Sequence, residues 1–108
     1  MAEAARHMSF RATVLREGGE WVAHCLDLDL VSTGASAEAA LDELAVAVNT
    51  QLWYAREHDN FEYLFRPAPD EAWRKLGELL KGPHKTVVRK IEDSDRGEHV
   101  LEVQLKAA

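Results

Sequence analysis

The sequence predicts an α+β fold: an antiparallel β-sheet with one main helix packed on it, plus a C-terminal helix and β-hairpin. Three observations carry that expectation. Two alternating segments flank Gly18-Gly19, a long 3.6-residue apolar period runs on from Ala37, and two further alternating segments close the chain. The 108 residues hold 46 % apolar and 30 % charged side chains, enough for one core without disulfides.

Ser9 to Arg16 alternates Phe10, Ala12 and Val14 with Arg11 and Thr13, the period of a strand. Trp21 to Leu26 reads as its partner. Gly18-Gly19 between them suits a two-residue turn needing positive φ, and that turn sets a register. Glu17 faces Glu20, Arg16 faces Trp21, Leu15 faces Val22, Val14 faces Ala23, Thr13 faces His24, and Ala12 faces Cys25. Phe10, Ala12, Val14, Trp21, Ala23 and Cys25 then share one face, the better core. Arg11, Thr13, Leu15, Val22, His24 and Leu26 share the other. There the adjacent Leu15 and Val22 read either as scattered surface apolarity or as a protein-contact face.

Leu30 to Thr33 predicts a third strand that Gly34 breaks. Ser36 is a suitable N-cap and Glu38 answers the helix dipole. Leu41, Leu44, Val48, Leu52 and Ala55 form the apolar stripe of a helix ending near His58-Asp59-Asn60. Phe61, Tyr63 and Phe65 alternate with Glu62, Leu64 and Arg66, which predicts a short aromatic strand. Pro67-Ala68-Pro69 is a rigid connector. Asp70 to Lys81 predicts a second helix, stopped by Gly82-Pro83. His84 to Ile91 and His99 to Lys106 predict a hairpin whose turn spans 93–97. In domain terms, 1–8 reads as a disordered tail, 9–66 as the main domain, and 67–108 as an extension of the same globular unit.

Charge divides the chain. Met1 to Pro67 holds 5 Lys and Arg against 11 Asp and Glu, and Ala68 to Ala108 holds 8 of each. The first part therefore carries the whole net charge of −6. Such a surface repels phosphate and either serves solubility or attracts a basic partner. No apolar run is long enough for a membrane helix, and a reducing cytoplasm is the simplest setting for a chain with one cysteine.

No phosphate-binding loop, dinucleotide fingerprint, HExxH or nucleophile elbow occurs. The expectation is a protein that is not an enzyme, with no cofactor and no metal. Cys25 falls on the core face, opposite to His24, and reads as a small buried hydrophobe. His24 reads as a surface or interface histidine more readily than as a ligand or base. Asp27 and Asp29 read first as solvated loop acids, and they are also the acids best placed to meet a basic partner. The partner-binding candidates are thus Asp27, Asp29, Leu15, Val22 and His24. Arg74, Lys75, Lys85, Arg89 and Lys90 form a basic segment, the candidate for nucleic-acid contact and the basis of an alternative reading as a nucleic-acid-binding regulator.

The stretch Trp21-Val22-Ala23-His24-Cys25-Leu26-Asp27-Leu28, followed by Val31-Ser32-Thr33-Gly34-Ala35-Ser36-Ala37-Glu38-Ala39-Ala40-Leu41, resembles the HicB-like antitoxin family. The resemblance covers about Phe10 to Gln51. It implies a sheet-and-helix unit akin to the β-β-β-α-β part of a double-stranded-RNA-binding fold. It also implies a non-catalytic antitoxin, or an orphan relative of one, that binds and blocks a small basic HicA-like ribonuclease toxin. Many members end in a DNA-binding segment. Here the tail reads as helix plus hairpin, suited to extending the sheet or building a homo-oligomer.

Overall fold

The computed structural model describes residues 8–93 and 97–107. The expected disordered tail and the centre of the last turn lie outside the described residues, except that Met8 is already the first residue of a strand. The order is β1 (Met8–Glu17), β2 (Glu20–Cys25), β3 (Leu30–Gly34), α1 (Ala37–Glu57), a 3-10 turn (Phe61–Tyr63), α2 (Asp70–Lys81), β4 (His84–Asp93) and β5 (Gly97–Lys106). The α+β class is as expected. The five strands form one sheet in the order β3-β2-β1-β5-β4.

Gly18 and Gly19 take φ of 58° and 86°, which a two-residue turn matched to strand twist demands. The resulting β1/β2 register is the one read from the sequence, from Glu17 opposite Glu20 to Ala12 opposite Cys25. The sheet, however, is mixed rather than antiparallel, because β1 pairs with β5 in parallel, Phe10 beside Leu101 and Ala12 beside Val103. Local patterning carries no information on that choice, since a parallel partner lies far along the chain.

α1 begins where Ser36 Oγ accepts the Ala39 N–H at 3.0 Å. It ends in a complete Schellman arrangement, with Asn60 N–H donating to the Ala55 carbonyl and Asp59 N–H to that of Arg56. Asp59 holds the left-handed position, φ 51°, that glycine usually takes. The apolar stripe Ala40, Leu41, Leu44, Val48, Leu52 and Ala55 is buried against Phe10, Ala12, Val14, Ala23, Cys25, Leu101 and Val103. Gly34 serves this contact by its lack of a side chain. A Cβ there would lie 2.6 Å from the Ala40 backbone nitrogen.

The expected aromatic strand is a correction. Phe61–Tyr63 is a 3-10 turn, and no strand forms through Phe65. The chain here has to cross from one face of the sheet to the other. Phe65 stacks on Phe10 on the α1 face, at 6.2 Å between ring centroids. Three residues later Ala68 N–H donates to the Leu26 carbonyl. α2 then lies on the opposite face, where Trp73 receives the Arg11 guanidinium at 4.6 Å. A second, smaller core joins Leu26, Ala68 and Leu76, with Ala72 and Trp73 beside it. No helix among the described residues is long and apolar enough to cross a membrane.

Candidate functional site

Because α2 is short, it covers only part of its face. Its first turns and the outer face of the β1/β2 hairpin enclose a cleft of about 410 Å³. Thr13, Leu15, Glu17, Val22 and His24 rise from the strands, Asp29 comes from the β2–β3 connection, and Pro69, Glu71, Ala72 and Lys75 come from the α2 side. Strand alternation explains the floor: Leu15 and Val22 sit opposite each other and point away from α1. Both are half-buried, so the floor is apolar and partly open.

Four of the five predicted partner-binding residues, Leu15, Val22, His24 and Asp29, therefore share one cleft. Asp29 and His24 are not independent. The His24 Nε2–H donates to Asp29 Oδ1 at 2.8 Å, which fixes the ring's tautomer and orientation. Asp29 holds φ of 54°, a left-handed conformation that aspartate tolerates better than most residues. Asp27 does a different job. Its Oδ2 accepts the Arg11 backbone N–H at 2.7 Å and its Oδ1 accepts the Arg11 guanidinium at 2.9 Å. It thereby extends the β1/β2 pairing past Leu26, whose N–H donates to the Arg11 carbonyl. Asp27 is a structural clamp and Asp29 is the acid on the cleft wall. Their two-residue spacing lent both the same standing.

Asp29 also borders a second cleft, of about 400 Å³, at the C-terminal end of α1. Tyr54, Tyr63, Leu64 and Arg66 line it. Tyr54 stacks on His58 at 4.0 Å between centroids. These tyrosines, and Glu17, Glu71 and Lys75 of the first cleft, were not predicted as cleft residues. Glu17 follows from alternation, two residues beyond Leu15 on the same face, whereas the others depend on where the connector crosses the sheet, for which the sequence carries no local signal.

The first cleft has an apolar floor and charged walls. Its walls carry Glu17, Asp29 and Glu71 against Lys75, an acidic balance that favours a cationic partner. Cys25, on the α1 face, is fully buried, and burial pushes its thiol up to about 11, with the Asp27 carboxylate adding to the rise. It is thus protonated and out of reach of His24. Among the described residues, no group of three or more His, Cys, Asp or Glu side chains is placed to hold a metal ion.

The basic candidates do not converge. Arg74 and Lys75 are on α2, Arg74 pairing with Glu71. On β4, Lys85 and Arg89 share the face of the buried Ile91, whereas Lys90 faces the other way. Arg89 is paired with Asp42 of α1. No single surface presents all five to a phosphate backbone. Comparison with protein-family models, curated proteins and solved structures finds no match.

Proposed function

We propose that this chain is a non-catalytic binding protein, an antitoxin of the HicB-like kind or an orphan relative, that grips a small basic HicA-like toxin through the cleft between α2 and the β1/β2 hairpin. One observation carries the reading. Leu15 and Val22 form a half-open apolar floor between the acidic walls of Glu17, Asp29 and Glu71. Such a surface offers apolar area at its centre and charge at its rim, the arrangement of a protein interface. The resemblance of Phe10 to Gln51 to the family supports reading the partner as a small basic toxin. The nucleic-acid alternative finds less support, since the basic side chains lie on different elements and faces.

The proposal requires a small basic reading frame beside this one, and the test is co-expression of the two, scored by growth rescue and by calorimetry on the purified pair. Wild type is expected to rescue growth. Leu15→Lys and Asp29→Lys are expected to lose rescue and to weaken binding about tenfold or more, a cost of about 1.4 kcal/mol or more. Their far-UV circular dichroism should match wild type, because both residues lie outside the α1 core. Full rescue by both variants, or the absence of any bound basic partner, refutes the proposal.

A further inference from the structure

The two edges of the sheet differ. β3 offers five residues and β4 offers ten. The Ala107 N–H donates to the Pro83 carbonyl, which continues the β4/β5 ladder by one pair and fixes its alternation. Pro83, Lys85, Val87, Arg89 and Ile91 turn their backbone groups towards β5. Thr86 and Val88 turn theirs outward, to the open edge. Val88 is also the barest apolar side chain on the strand, 62 % exposed, and Val87 beside it is 39 % exposed. A run of β-branched residues, Thr86-Val87-Val88, therefore lies at the middle of an edge left uncovered among the described residues, an arrangement that templates another strand.

The geometry points to the β4 edge as a two-fold interface between two copies of this chain, with Val88 on the axis. A second copy fits this edge in one long register, set by length and charge together: pairing about Thr86 keeps like charges apart but engages only His84 to Val88 of the strand. Antiparallel pairing about Val87 sets Lys85 against Arg89, and pairing about Arg89 sets that arginine against its own copy, both unfavourable. Pairing about Val88 sets Val88 against Val88, Thr86 against Lys90, Val87 against Arg89 and Lys85 against Ile91. Every positive side chain on this stretch then faces an uncharged one. Arg89, the charge closest to the axis, is already paired with Asp42 of its own chain. A two-fold axis closes the assembly at two copies and joins the two five-stranded sheets edge to edge. The cleft lies towards the other end of the strand order, on β1 and β2, so this interface leaves it open.

Light scattering coupled to size exclusion tests this on the full chain over a range of concentrations. Wild type is expected at twice the mass of one chain. Val88→Pro removes an N–H that β5 does not use, at an edge position where proline is tolerated. Val88→Lys brings two ammonium groups together on the axis. Both are expected to halve the mass with unchanged far-UV circular dichroism. Val88→Cys is expected to cross-link to its copy under mild oxidation, while Lys85→Cys, set against Ile91, does not. The native Cys25 is buried and takes no part. A wild-type monomer at every concentration overturns the inference, as does a dimer that persists in both Val88→Pro and Val88→Lys. Cross-linking of Lys85→Cys in place of Val88→Cys overturns the register.

Discussion

On one face of the sheet, α1 runs 21 residues and buries six of its side chains. On the other, α2 runs 12 residues and buries Leu76 alone. The first face is a sealed core and the second is a half-roofed one. The lesson is that this fold obtains most of its stability from one face, which leaves the other able to keep an apolar floor partly open. Leu15 and Val22 are tolerated there because α1 with its strands already supplies the burial that a domain this small needs.

The contrast can be tested by mutation. Leu44→Ala, at a fully buried position, is expected to lower unfolding stability by about 3–4 kcal/mol in urea titration, against about 2 kcal/mol for Leu76→Ala. Equal losses would mean that the two faces contribute alike. Alkaline titration probes the sealed face next. The folded thiol of Cys25 keeps its proton up to about 11, while in the unfolded chain it ionises near 9.0. Between these values the unfolded state holds fewer protons, so stability falls as pH rises. The loss reaches about 2–3 kcal/mol by pH 11 and is absent from Cys25→Ala, measured as the difference between the two stability curves.

The two interior glycines separate the faces in sign. Gly34→Ala forces a methyl against the α1 backbone and is expected to cost about 2 kcal/mol in the same titration. Gly77, within α2, has nothing within 4 Å of an added Cβ. Gly77→Ala is expected to stabilise by about 0.5–1 kcal/mol, the smallest effect of the set, seen as a raised melting temperature. A destabilised Gly77→Ala would show α2 to be packed more tightly than its single buried residue indicates.

What the sequence reveals follows the same division. The β1/β2 register was legible because Gly18-Gly19 admits a turn that most residues resist, and the turn then dictates every opposite pair. The limits of α1 were legible from Ser36 and its stripe. Asp70–Lys81 was legible from its own period, but not what it would cover. The alternation of Phe61, Tyr63 and Phe65 misled because this segment is the crossing from the α1 face to the α2 face, and a crossing is a property of the whole fold. The site divides likewise. That Leu15, Val22 and His24 share a face was readable from alternation, whereas the opposite fates of Asp27 and Asp29 were set by Arg11 and His24 at close range.

The parallel pairing of β1 with β5 has a consequence for biosynthesis. Of the five strands, the first in chain order has the last as one of its neighbours, Met8 lying beside His99. The β1-β2-β3 meander and α1 can assemble while translation proceeds, but one flank of β1 waits, unzipped, until Gly97–Lys106 has emerged. Closing so long a separation carries a loop entropy that the β1/β2 hairpin does not meet. A nascent chain stalled before that point would present Phe10, Ala12 and Val14 on an incomplete sheet, the state in which a chaperone would be expected to bind it.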